Sequence, residues 1–384
     1  MPPSSSSNPV PRQIPPGIHA ARDYERAARS CIPEPTYAYL AGGAGEDVTL
    51  EANRAAYADW SVYPRLLRDL RTGHSRLKLQ GQELPHPILL APLAYQQLVH
   101  PGGELETARG ADAAGAGLLC SSLSSFSLEQ IAEVASPRRW FQLYLQPRRE
   151  DSLDLLRRAE AAGYQAIVLT LDAAVQQPSR RALEAGFRLP ADCVAANLRG
   201  YAPPAPAGLA PDQSRVFQGL MNEAPRWADL DWLLADSRLP IWVKGVSHPE
   251  DARALKARGV AGLVVSNHGG RSLDGAPASL RALPAVRAAV GPDYPLLFDG
   301  GIRSGGDAFK ALALGANAVL IGRLQVYALA VAGALGVAHL IKLLREELEV
   351  CMAMAGCASL AELGPACLCP ATSGPTGNFT EAAC

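Results

Sequence analysis

Eight short apolar runs punctuate the chain, each followed by a stretch in which apolar residues recur at helical spacing. They are PILLAP (87–92), GLLCSS (117–122), WFQLYL (140–145), AIVLTLD (166–172), PIWVKG (240–245), GLVVSN (262–267), PLLFDG (295–300) and AVLIGR (318–323). Strands that are apolar almost throughout are what a parallel sheet requires when both of its faces are covered. The segments between them carry helix punctuation. Residues 151–163 open on Asp151 and close on Gly163, residues 248–259 close on Gly259, and residues 304–315 close on Gly315. Eight strand–helix units in succession predict an α/β fold of the TIM (β/α)8 type. An open doubly wound sheet is the alternative, and this many regular repeats would be unusual for it.

Two regions fall outside the repeats. Residues 18–86 are predicted to form an N-terminal helical segment, with helices over Arg22–Leu40 and Glu46–Asp59, covering one end of the barrel. Residues 173–239 separate the fourth and fifth strands and exceed a simple crossover. Such a long loop at the active face of a barrel reads as a lid. Its middle, YAPPAPAGLAP (201–211), is Pro-rich and predicted to be mobile. The Pro- and Ser-rich residues 1–17 read as a disordered arm, 18–363 as the barrel domain and 364–384 as a flexible tail. Tyr327–Leu344 is apolar enough to be tested as a membrane span. Two glycines, His339, Lys342 and the following Arg345-Glu346-Glu347 favour a packed amphipathic helix instead.

Composition narrows the function classes. Of 384 residues, 48% are hydrophobic and 19% charged, and the formal net charge of −1 offers nothing to nucleic acid. Eight scattered cysteines in a chain too long to need staples predict a reduced, cytoplasmic protein. Cys367-Leu368-Cys369 lacks the second ligand pair of a zinc site.

Chemistry gathers where the strands end, as it does in barrel enzymes. In order the ends offer Leu93 and Ala94, Ser121, Gln142 with Tyr144, Thr170 with Asp172, Lys244, Ser266-Asn267-His268-Gly269-Gly270-Arg271, Asp299-Gly300-Gly301, and Gly322-Arg323. His268 can exchange a proton near neutral pH, and three residues on, Arg271 offers a planar fork for a carboxylate. A base beside a carboxylate clamp suggests chemistry on the carbon next to an acid group. Glycines and the arginines Arg303 and Arg323 after strands seven and eight form the usual phosphate site of such barrels. Ser121 and Thr170, taken singly, are better read as ordinary strand caps, and the alternative for Lys244 is a buried lysine paired with a carboxylate.

The SNHG-x-R segment and the ring of strand-end residues resemble the FMN-dependent 2-hydroxy acid oxidases and dehydrogenases, from about Tyr24 to about Leu363. The likeness implies that FMN is the cofactor, held by Leu93, Ala94, Ser121, Gln142, Thr170, Lys244, Ser266, Asp299, Gly301, Arg303, Gly322 and Arg323. It implies that Arg271 holds the substrate carboxylate, that Tyr39 and Tyr144 hydrogen-bond the substrate, and that His268 takes the hydroxyl proton with Asp172 stabilising the imidazolium. Tyr39 has the bland alternative of a core aromatic. Proton removal from Cα first is the other mechanism in use, and the sequence does not choose. Family members are commonly tetramers, so a homotetramer is expected.

The chain departs from the family pattern at two points. Ser272 stands where Gln is usual, and Ser179 where a second carboxylate-binding arginine is usual. Either Arg180 supplies that clamp or it is missing. Leu123 stands where glycolate-type members often carry a large aromatic, and Tyr95-Gln96 after Ala94 looks like the mandelate and hydroxymandelate branch. The expected activity is oxidation of an (S)-2-hydroxy acid, aryl or larger aliphatic, with O2 reduced to H2O2. The alternatives are a dehydrogenase passing electrons to a quinone or cytochrome, and a member with altered substrate. A polar, Pro-rich 191–225 favours a soluble oxidase, with no membrane and no nucleic acid as partner.

Overall fold

The computed structural model describes residues 13–202 and 208–371. All eight apolar runs are strands, and they close into one parallel barrel: β1 (Ile88–Leu90), β2 (Gly117–Ser121), β3 (Arg139–Leu143), β4 (Ile167–Thr170), β5 (Ile241–Val246), β6 (Gly262–Val265), β7 (Leu296–Phe298) and β8 (Ala318–Ile321). Each pairs with the next, and β8 returns to β1 through Val319↔Ile88 and Ile321↔Leu90. Eight helices wrap the outside: α1 (Gly103–Ala113), α2 (Leu128–Val134), α3 (Arg149–Ala161), α4 (Trp227–Asp236), α5 (Pro249–Ala257), α6 (Ser279–Val290), α7 (Gly305–Ala313) and α8 (Arg323–Met354).

The strands bury both faces, and two apolar clusters result. Leu89, Leu119, Trp140, Val168, Trp242, Val264, Leu297 and Leu320 fill the barrel lumen, and a larger cluster lies between strands and helices. The barrel is therefore a packed core, and a ligand must bind at its end.

The segment before β1 differs from expectation. A single helix over Arg22–Leu40 does not form. Pro33 and Pro35 break it into Asp23–Ala28 and Glu34–Ala41, because proline fixes φ and donates no hydrogen bond, so it opens a helix more readily than it continues one. The second predicted helix is Val48–Ala55 with a 3-10 turn to Asp59. A hairpin, Leu77–Leu79 with Gln82–Leu84, was not foreseen; its Leu79 and Leu84 join the lumen cluster and plug the barrel. The segment thus serves both ends, since Tyr39 and Leu40 line a cleft at the C-terminal ends of the strands.

Three further boundaries move. The expected lid, 173–239, contains the crossover helix α4, so the loop proper stops at Arg226. Of its Pro-rich middle, 203–207 lie outside the described residues, as do 1–12 of the N-terminal arm and 372–384 of the tail. Residues 364–371, expected in a flexible tail, instead form a turn and a strand, Leu368–Pro370, that pairs with Trp60–Val62. The apolar stretch at 327–344 belongs to α8 and is broken by non-helical backbone at Ala332 and Gly333. Its apolar window is 72% buried within the fold.

Candidate active site

The loop after β6 is built by its glycines. His268, Gly269 and Gly270 have φ of 59°, 65° and 75°, three left-handed residues in succession. A Cβ on Gly270 would lie 2.6 Å from the backbone N of Leu50, so only glycine permits this approach. His268 bears the strained backbone without being glycine, and such outliers gather where a side chain must be aimed. Asn53 and Asn267 exchange side-chain hydrogen bonds at 2.8 and 2.9 Å and fix the loop from beneath.

The aim of His268 is toward Asp172. Its Nδ1 lies 2.9 Å from Asp172 Oδ1, while Nε2 faces the Tyr144 hydroxyl at 3.5 Å. A carboxylate on Nδ1 fixes the tautomer in which Nδ1 donates and Nε2 carries the free lone pair. Burial alone would raise the Asp172 pKa, but the attraction of the His268 ring and the Lys244 charge outweighs it and holds the carboxyl below its usual range. Tyr144 is raised, first by burial and then by Asp172, so its hydroxyl keeps its proton.

Lys244 is 4% exposed and donates to Ser266 Oγ at 2.9 Å, with Asp299 Oδ2 at 3.2 Å; Ser266 Oγ in turn donates to Asp299 Oδ1 at 2.6 Å. Burial pulls the lysine pKa down, but Asp299 and Asp172 more than compensate, and it stays a cation. The carboxylate-paired reading of Lys244 and the cleft-lining reading therefore hold together.

Arg271 crosses the face of Tyr39, 4.9 Å from its centroid, and donates through Nη1 to the carbonyls of Tyr39 and Gly42. Its other N–H groups make no hydrogen bond among the described residues and remain for a ligand. Tyr39 stacks on Phe187 at 4.2 Å, which attaches the lid to the cleft.

Lys244, His268, Arg271, Tyr39, Tyr144, Leu93, Ala94, Ser121, Leu123, Asp299, Gly301, Arg303, Gly322 and Arg323 all line one cleft. Gln142, Thr170, Ser266 and Asp172 lie behind this wall. Arg180 does not reach the cleft: it is exposed and paired with Glu46 at 2.6 Å and Glu184 at 2.8 Å. Ser179 caps the short helix Arg180–Glu184, and Arg181 pairs with Asp47. Among the described residues, no arginine of this segment lines the cleft. Ser272, the other departure, is tied to the lid, its carbonyl accepting from Gln177 N at 3.0 Å.

Gln176 lines the cleft in this segment and carried no sequence signal, because an irregular loop has no periodicity from which to read direction. Glu104 was likewise missed. Its buried Oε1 accepts from Gln96 N and Ser125 N, both at 3.0 Å, and joins the loops after β1 and β2.

The cleft is prepared for a large polar ligand with an anionic end. Gln142 accepts through Oε1 from Ser121 Oγ and Ser122 N, and among the described residues its buried Nε2 and the Thr170 Oγ1 have no partner. Arg303 is balanced by Glu25 at 3.0 Å. Arg323 is held by the carbonyls of Leu40, Gly42 and Gly269 and has no carboxylate partner among the described residues. Burial and the neighbouring Arg271 cation push its guanidinium down to about 9. A cation in this position calls for an anion.

A parallel barrel with these groups at its strand ends defines a flavin-type oxidoreductase site. The model of the FMN-dependent dehydrogenase family matches residues 28–370, and the chain belongs to this family. An L-lactate oxidase of Alicycliphilus denitrificans is 67% identical over 91% of this chain and 96% of its own. A 4-hydroxymandelate oxidase of Amycolatopsis orientalis is 45% identical over 88% and 94%. The crystal structure of mandelate oxidase with (S)-2-phenylpropionate superposes with a TM-score of 0.81, at 43% identity, covering 90% of this chain and 96% of that one. The protein is an enzyme of the 2-hydroxy acid oxidase class, and FMN is its cofactor. The unpartnered amide of Gln142, the Thr170 hydroxyl and the unbalanced Arg323 are complementary to a flavin ring and a phosphate.

Proposed function

We propose that the enzyme oxidises an (S)-2-hydroxy acid to the 2-oxo acid and returns the electrons to O2, giving H2O2. The observation that carries this reading is the His268–Asp172 pair at 2.9 Å, facing Tyr144 and Arg271 across one cleft. Arg271 takes the substrate carboxylate, with Tyr39 and Tyr144 donating to the carboxylate and hydroxyl. His268 Nε2 removes the hydroxyl proton, and Asp172, ionised throughout the neutral range, stabilises the imidazolium that results. When bound, FMN supplies the acceptor for the hydrogen and electron pair leaving Cα. Gln142, Thr170 and Lys244 would hold its ring, and Arg303 and Arg323 its phosphate. Lys244, a buried cation, would stabilise the negative charge that reduction brings to the flavin.

The substrate reading favoured here is (S)-lactate, supported by the relative that shares 67% of its residues with this chain and acts on L-lactate. An aryl acid such as (S)-mandelate is the second reading, supported by Leu123 on the cleft wall and by the mandelate oxidase neighbours. Anaerobic mixing of the holoenzyme with (S)-lactate, (S)-mandelate and glycolate tests both. Bleaching of the flavin absorbance fastest with lactate, with peroxide released on readmitting air, is the expected result. Fastest bleaching with mandelate overturns the first substrate reading. Reoxidation that is slow in air but rapid with a quinone overturns the oxidase reading.

A further inference from the structure

Two cysteines meet where the end of α8 joins the last strand, and a third lies close by in sequence. Cys357 follows the helix terminus and is 6% exposed; Cys367 closes the turn Pro365–Cys367 and is only half-buried. Their sulfurs lie 3.7 Å apart, and each is 3.7 Å from the carbonyl of Glu362. Cys369 is directed elsewhere, with its sulfur 3.8 Å from the Ser61 carbonyl. No group of His, Cys, Asp or Glu able to hold a metal ion occurs among the described residues, so the thiol pair is not half of a metal site.

We propose that Cys357 and Cys367 are a redox modification site, converted to a disulfide by hydroperoxide. A disulfide needs sulfurs about 2.05 Å apart, so the pair must close by less than about 2 Å, within reach of side-chain rotation. The half-buried Cys367 meets oxidant first. Its thiolate attacks one peroxide oxygen, the O–O bond breaks, and the departing hydroxide takes a proton to become water. Cys357 sulfur then attacks the Cys367 sulfenic acid, the S–O bond breaks, and the Cys357 proton leaves with the oxygen as a second water. Two thiols and one hydrogen peroxide give one disulfide and two waters. Burial and the adjacent Cys367 thiol push Cys357 up to about 11, which suits the second, resolving position better than the first.

The crosslink acts on a seam that joins the two ends of the chain. Leu368–Pro370 pairs with Trp60–Val62, Tyr63 N donates to Cys367 O at 2.9 Å, and Arg65 N donates to Met354 O at 2.9 Å. Bridging Cys357 to Cys367 fastens this seam to the end of α8. The inference draws its natural oxidant from the proposed production of H2O2, and the test separates the two.

Reduced holoenzyme is desalted, treated with added H2O2, alkylated and digested with a glutamate-specific protease. Glu362 lies between the two cysteines, so a disulfide appears as a linkage of peptides 350–362 and 363–381 under non-reducing conditions. The expected result is that linkage in wild type, C351S and C369S, its loss in C367S and C357A, and a dithiothreitol-reversible rise in Tm on the order of 5 °C. Linkage that survives in C367S, oxidation of Cys367 to sulfinic acid without linkage, or no reaction overturns the proposal. A second arm replaces added peroxide with aerobic substrate turnover, with and without catalase. Linkage with added peroxide but not on turnover keeps the thiol site and counts against the oxidase reading.

Discussion

At the scale of single residues, the division between base and clamp makes the sharpest demands. Replacing His268 by Ala is expected to leave flavin bound but to slow anaerobic bleaching by about 10²- to 10⁴-fold, the usual worth of a positioned base. Normal bleaching would remove His268 from the mechanism. Ser179→Arg restores a second cation beside Gly42, whose Cβ position lies 2.6 Å from Ser179 Oγ. A charge-assisted hydrogen bond contributes about 1.5–3 kcal/mol, so KM should fall by roughly tenfold or more. An unchanged KM would mean that Arg271 and the tyrosines already saturate carboxylate recognition. His268, Arg271, Asp172 and Lys244 were legible because each ends or follows a strongly apolar run, and barrel geometry puts all such positions on one face. Asn53, Glu104 and Gln176 were not. Their partners are far away in sequence or lie in irregular loops, and no local pattern records such contacts. The choice between Arg180 as the clamp and no clamp was not legible for the same reason: sequence proximity to Ser179 says nothing about direction, and Glu46 and Glu184 hold Arg180 outward.

Among elements, β5 carries an irregularity that the site depends on. Its register with β6 shifts between Lys244 and Val246, with Gly245 at φ 100°. A Cβ on Gly245 would stand 2.5 Å from the Asp172 side chain. Gly245→Ala should therefore displace Asp172 and slow bleaching by at least tenfold, with stability reduced by about 1–3 kcal/mol; a wild-type rate would show that the aspartate has room to spare. The lid is held by different means. Arg158 on α3 bonds Glu129 on α2 at 2.8 Å, the Asn197 carbonyl and the Tyr201 hydroxyl. That hydrogen bond outweighs burial and holds Glu129 down to about 2, below its ordinary 4.5. A depressed carboxylate contributes stability above pH 4.5 and loses it as pH falls toward 2. Urea midpoints of wild type and Glu129→Gln should thus differ most at neutral pH and converge in acid, by an amount that salt reduces because the pair is exposed. The strands were legible from continuous apolarity. The plugging hairpin was not, since three-residue strands joined by Gln80-Gly81 are too short to show alternation.

The whole molecule is a filled barrel with its chemistry at one end and a stopper at the other. Leu79 and Leu84 reach the lumen cluster from the hairpin, far from the cleft. Leu79→Ala should cost about 2–5 kcal/mol of stability while leaving the bleaching rate of the folded fraction unchanged. A rate that falls with stability would mean the lumen transmits strain between the two ends. The closure of this architecture has a consequence during synthesis. The first barrel strand finds its second neighbour only in residues 319–321, and residues 60–62 find theirs only in 368–370. At roughly 5–20 residues per second a ribosome needs tens of seconds to supply those partners. Throughout that interval the edge of β1 is an open template, and a nascent chain stalled before residue 321 cannot close the barrel.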